Sequence, residues 1–175
     1  MTTTDSRPSE PKNDPLTAAP AETTAVRKAL VPVSVQIRAS EGVEAALSQL
    51  QNPGVPYVAV TEHDDTPVGV LTAEDIEQLR HKYPDYWSAM RCGNAIVAPA
   101  RFLEADEPFD TAVELLRDEG VRPLLVLEGE KMAGVLEPTV VFQWCAQHRP
   151  DAVEALAQLA RGPGPVEISE TDHLR

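Results

Sequence analysis

Thr72 and Asp75 stand where the residue types and their spacing could do chemistry. They follow an apolar strand pattern, Val68-Gly69-Val70-Leu71, at the point where a helical pattern begins. At a helix start the first backbone N–H groups lack partners and the dipole favours negative charge, so a phosphate can sit there. A carboxylate accepts two hydrogen bonds at once, which suits the adjacent hydroxyls of a ribose. Three residues of helix bring both side chains to one face. Thr-x-x-Asp is also a capping arrangement in which the two side chains satisfy each other's backbone amides without any ligand. The residues alone leave both roles open.

A phosphate would also need a cation. Arg122, Arg91 and Arg101 are the candidates, although arginines are more often solvated surface groups. Other chemistry is weakly represented. His63, His81, His148 and His173 show no metal-ligand spacing with Cys or carboxylates. There is no Gly-rich phosphate loop and no Gly-x-Ser-x-Gly turn. Asp64 and Asp65 fall in a polar turn. With no nucleophile-and-base set visible, the expectation is that the chain is not an enzyme. Cys92 and Cys145 do not make a disulfide framework and are expected to be reduced and partly buried.

The elements that must position Thr72 and Asp75 occur twice. Ala29-Leu30-Val31-Pro32 aligns with Ala95-Ile96-Val97-Ala98, Leu50 with Leu116, Gly54-Val55 with Gly120-Val121, and Val60 with Val126. One deletion then sets Val68-Gly69-Val70-Leu71 over Ala133-Gly134-Val135-Leu136. Each unit is expected to run strand, helix, strand, strand, helix. In the first, Val33-Ser34-Val35-Gln36-Ile37 alternates with period two and predicts a strand. Ser40 is the expected cap of a helix carrying Val43, Ala46, Leu47 and Leu50, stopped at Asn52-Pro53-Gly54. Val55 to Val60 and Val68 to Leu71 predict a hairpin, and Thr72 opens a helix through Lys82. In the second unit Phe109, Ala112, Val113 and Leu116 form the helical stripe. Leu124 to Leu127 and Met132 to Leu136 form the hairpin, and Thr139 to Gln147 the closing helix. Beyond Pro150, Asp151-Ala152-Val153-Glu154 has capping spacing for a last short helix.

The bulk properties narrow the class. The chain has 175 residues, 42% of them apolar, enough for a core of one compact module. Its net charge of −13 argues against general nucleic-acid binding, which depends on neutralising phosphates with Lys and Arg. No apolar run reaches the length of a membrane span and the N-terminus lacks a secretory pattern, so a cytoplasmic location is expected. The first 26 residues, rich in Thr, Ser, Ala and Glu and carrying Pro8, Pro11, Pro15 and Pro20, read as a disordered tail. The aromatic stretch Lys82-Tyr83-Pro84-Asp85-Tyr86-Trp87 reads as a linker packed on the module or as a contact surface, with Trp144 a second contributor.

Two such units in tandem resemble the CBS domain family. The segment Thr66-Pro67-Val68-Gly69-Val70-Leu71-Thr72-Ala73-Glu74-Asp75-Ile76 carries the closest likeness, with Gly, two apolar residues, Thr, two free positions and Asp. The resemblance spans about Ala29 to His148. It implies a mixed α/β (α+β) fold in which two β-α-β-β-α repeats, residues 27–82 and 95–148, pack into one pseudo-symmetric module. An inter-repeat linker at 83–94 and a short helix with a loose tail at 149–175 complete the division. It further implies a cleft between the repeats for an adenosine-containing ligand: AMP, ADP, ATP or S-adenosylmethionine. Asp75 would then hold the ribose, Thr72 the ribose or phosphate, and Val31, Val33, Pro56 and Tyr57 would line the adenine slot. In the second repeat Glu137-Pro138-Thr139-Val140 replaces the matching segment. Valine cannot bind a diol and Glu137 would repel a phosphate, so at most one adenosine site is expected, on the Asp75 side. The function so implied is a small regulatory protein, a homodimer by family habit, that acts on a separate, unidentified partner protein. The alternative is a degenerate pair serving as a ligand-independent scaffold for dimerisation or protein interaction.

Overall fold

The computed structural model describes residues 25–96 and 101–162. A 3-10 turn, Val26–Ala29, leads into strand β1 (Gln36–Arg38), helix α1 (Val43–Leu50), the hairpin β2 (Tyr57–Thr61) and β3 (Pro67–Thr72), and helix α2 (Ala73–Lys82). A second 3-10 turn, Trp87–Ala89, and the short helix α3 (Cys92–Ala95) join this unit to the next. The second unit repeats the order: β4 (Leu103–Glu104), α4 (Phe109–Glu119), β5 (Leu124–Glu128), β6 (Lys131–Leu136), α5 (Pro138–His148). Helix α6 (Pro150–Arg161) closes the described chain.

Each unit forms one three-stranded sheet, ordered β1-β2-β3 and β4-β5-β6. The first strand pairs parallel with the second, and the second antiparallel with the third, in both sheets. The register shift in the first hairpin, between Val60 and Thr61, recurs between Val126 and Leu127 in the second. A shared irregularity at matched positions is a stronger sign of duplication than shared apolar character.

Side chains alternate across a strand, and both sheets use that alternation to bury two faces. Val58, Val60 and Leu71 point to the helices of the first unit with Ile37, Val43, Ala46, Ile76 and Leu79. Leu124, Val126 and Leu136 do the same in the second unit with Phe109, Val113, Leu116, Val141 and Cys145. Tyr57, Ala59 and Val70 turn the other way and meet Leu125 and Val135 in a third cluster between the sheets.

The segments that precede the two units are exchanged. Val26 is fully buried in the core of the second unit. Its amide donates to Glu107 O at 2.9 Å, Ala25 bridges Pro108, and Arg27 pairs with Asp106 and Glu128. At the matched place Cys92 and Ala95 bury themselves in the core of the first unit, and Arg91 bridges Gly42. Residues 25 and 26 of the expected tail thus belong to the module, because Val26 has an apolar pocket to fill. The tail's remainder, residues 1–24, and the expected loose end from residue 163 lie outside the described residues.

Three other expectations shift. The strand foreseen from Val33 begins only at Gln36. Ser40 does not cap α1, because the cap position is Gly42 and the Val43 amide is taken by Met90 O at 2.9 Å. The Asp151 cap is also absent. Helix α6 starts at Pro150, whose missing N–H suits a first turn, and Asp151 pairs instead with Arg149. Both cysteines are free and buried. No helix among the described residues is long and apolar enough to cross a membrane.

Two consequences are measurable. A Cβ on Gly134 would lie 2.8 Å from the Val31 carbonyl oxygen, where β6 meets the leading segment. Gly134→Ala is expected to destabilise the fold by about 1–3 kcal/mol in urea unfolding, and an unchanged midpoint would contradict the close docking. Burial, reinforced by Glu41, pushes the Cys92 thiol up from 9.0 to about 11. The unfolded chain releases that proton near its ordinary value, so the stability tied to the protonated thiol is intact below pH 9.0 and declines as pH rises toward about 11. Stability measured across that window should therefore fall more steeply in the wild type than in Cys92→Ala, and parallel curves would refute the burial argument.

Candidate functional site

Strand β3 delivers Thr72 to the N-terminus of α2 in extended conformation, as a cap residue requires. Asp75 N donates to Thr72 Oγ1 at 3.3 Å, while Thr72 N donates to Asp75 Oδ2 at 2.8 Å. Both halves of the capping box are formed, and Thr72 Oγ1 also donates to the same Oδ2 at 2.9 Å. The local role foreseen for Thr-x-x-Asp is therefore realised.

The second repeat adds what no local pattern contains. Arg122, in the loop between α4 and β5, reaches across the module so that its Nη2 lies 3.0 Å from Asp75 Oδ2 and 2.8 Å from Val70 O. The pair is partly screened, with side-chain exposures of 34% and 23% for Arg122 and Asp75. It stands in the wall of a cleft of about 300 Å³ between the repeats. The floor is apolar: Gly69, Val70 and Leu71 of β3, Leu124 and Leu125 of β5, and Ile96 and Phe102. The polar rim carries Asp75, Gln78, Lys82, Arg101, Glu119 and Arg122. That size falls at the lower end for small-molecule sites, and a mostly apolar floor with a few convergent polar groups is their usual make-up. Three cations against two carboxylates make this lining locally positive in a chain of net charge −13.

The candidate residues therefore divide. Asp75, Arg122 and Arg101 line the cleft, and Thr72 supports Asp75 from behind it. Arg101 Nη1 is also 3.3 Å from Asp118. Arg91 is elsewhere, with its guanidinium bonded to the Ser40 carbonyl oxygen. Val31, Val33, Pro56 and Tyr57 do not line this cleft. Val31 exchanges two backbone hydrogen bonds of 2.9 Å with Val135, and Val33 and Tyr57 join the cluster between the sheets. Gln78, Lys82 and Glu119 were not foreseen. Two of them were within reach of the sequence, since Gln78 and Lys82 recur at helical spacing on the Asp75 face of α2.

The matched positions on the other side of the module are apolar. Val140 stands opposite Asp75 in the repeat alignment and Pro56 opposite Arg122, so both partners of the ion pair are replaced together. Burial and the nearby Glu137 hold the Tyr57 hydroxyl above its ordinary value there, an environment hostile to an anion.

The CBS domain family matches residues 13–81. No curated protein matches the sequence. Among solved structures, a conserved CBS domain protein of unknown function from Thermoplasma acidophilum has a TM-score of 0.65 at 11% identity, over 79% of this chain and 77% of that one. The CBS-domain protein ATU1752 from Agrobacterium tumefaciens scores 0.59 at 17% identity, over 69% and 92%. CBSX2, solved in complex with AMP, scores 0.57 at 22% identity, over 71% and 98%. At these identities the likeness is one of fold, and it extends over both repeats.

A double-mutant cycle on Asp75→Ala and Arg122→Ala is expected to give a coupling of about 0.5–1 kcal/mol, the scale of a partly solvated pair. Additive effects in thermal unfolding would mean that the cross-repeat contact does not hold the module together.

Proposed function

We propose that this chain, whose residues 13–81 match the CBS domain family and whose fold is that of CBS-domain proteins, is a non-catalytic regulatory module that binds an adenosine-containing ligand in the cleft beside Asp75. AMP, ADP, ATP and S-adenosylmethionine are the ligands the family suggests, and the AMP complex of the similarly folded CBSX2 supports that class. The observation that carries the reading is the cleft itself. One apolar slot between the repeats holds a carboxylate for a diol and, within the same lining, cations for a phosphate. The base would lie against the Val70 and Leu125 side, the ribose at Asp75, and the phosphate toward Arg122 or Arg101. A ligand touching both repeats changes how they sit on each other, and that change is what a separate partner protein would read. A cytoplasmic homodimer is the form in which we expect the module to act.

One observation favours a second reading, a ligand-independent scaffold. Asp75 Oδ2 already has three donors within the chain, so that oxygen is satisfied without a ligand. Equilibrium binding separates the two. Titration with AMP, ATP and S-adenosylmethionine should produce heat and raise the melting temperature, and Asp75→Ala should weaken binding by about tenfold or more. Millimolar ligand that leaves both signals flat would reject the sensor and leave the scaffold.

A further inference from the structure

The Asp75 carboxylate has two sets of partners of different origin. Two donors, Thr72 N at 2.8 Å and Thr72 Oγ1 at 2.9 Å, belong to the cap of α2 and are local. The third, Arg122 Nη2 at 3.0 Å, belongs to the other repeat. All three converge on Oδ2, and a carboxylate oxygen offers about two lone-pair sites. The second hydrogen of Arg122 Nη2 is committed to Val70 O at 2.8 Å. Oδ1 takes none of the three donors, so a diol that bridges both carboxylate oxygens competes with the guanidinium only at Oδ2. A guanidinium that gives up this partly solvated carboxylate loses a modest pairing energy, which an incoming anion restores.

We infer that Arg122 is a latch that imposes a phosphate requirement on the cleft. This rests on the adenosine-ligand reading above and adds a selection rule to it. In the closed state Arg122 holds Asp75. A nucleotide exchanges both partners at once, its diol taking Asp75 and its phosphate taking the guanidinium, which matches phosphate bidentately. A nucleoside supplies only the diol and leaves the arginine without an anion. The site thus discriminates nucleotide from nucleoside through the cost of opening the ion pair as well as through attraction to phosphate. The absence of both charges at Pro56 and Val140 fits this, because the latch and the group it guards are present or replaced as a unit. Opening also breaks a contact between repeats, so the same exchange that selects the ligand transmits its arrival.

The test compares AMP and adenosine on the full chain, with Arg122→Met and Arg122→Gln as two variants of different polarity and circular dichroism to check their fold. In the wild type AMP should bind much more tightly than adenosine. In both variants adenosine should bind roughly three- to tenfold more tightly than in the wild type, while AMP weakens, so that the gap closes from both sides. A measurement on the unaltered protein is independent of folding in the variants. Millimolar inorganic phosphate should tighten adenosine binding by satisfying Arg122 in place of Asp75. If Arg122 attracted phosphate without guarding Asp75, adenosine affinity would be unchanged by the substitutions and by added phosphate, and the latch would be overturned with the nucleotide reading intact. If neither AMP nor adenosine bound the wild type, both would fall together.

Discussion

The apolar seam between the two sheets is the constraint on which the rest of this structure depends. A three-stranded sheet covered by helices on one face still exposes the other, and so small a unit is barely stable alone. Here Tyr57, Ala59 and Val70 of one sheet close against Leu125 and Val135 of the other, and neither uncovered face meets water. Burial on both faces also explains why β2 reads as a continuous apolar run instead of alternating. The seam sets where the sheets' edges fall, and the cleft is the space left beside it.

The exchanged leading segments reinforce that seam. Val26 fills the core of the second repeat and Cys92 that of the first, so neither repeat is complete within its own stretch of chain. Such interlocking makes the two halves one cooperative body. It also means that a ligand or a mutation felt in one repeat is felt at the junction, because backbone hydrogen bonds such as Val43 N to Met90 O cross it.

Duplication produced two matched sides, and divergence made them chemically unequal. On one side a carboxylate from the first repeat faces a guanidinium from the second across a locally positive cleft. On the other, Val140 and Pro56 occupy the same positions, Val31 is hydrogen-bonded onto β6, and Glu137 lies near Tyr57. Among the described residues the pseudo-symmetric module therefore has one polar, locally positive side and one apolar side.

Periodicity and capping chemistry are local, and what depends on them was legible in the residues. The duplicated order of elements, the hairpins, the helix opening at Thr72, and the free state of both cysteines follow from side-chain pattern and spacing. Helix boundaries set by distant partners did not follow. Ser40 looks like a cap, yet the Val43 amide finds Met90 O, which folding brings in from the inter-repeat segment. Val26 looks like the end of a tail until the second repeat offers it a pocket. The candidate site splits in the same way. Thr72 and Asp75 were visible because they are three residues apart, whereas the partnership of Asp75 with Arg122, and the location of the cleft away from Val31, Val33, Pro56 and Tyr57, were decided only by how the two sheets dock. Local hydrogen bonding is written in neighbouring residues; contact across a packed interface depends on geometry that no stretch of sequence contains by itself.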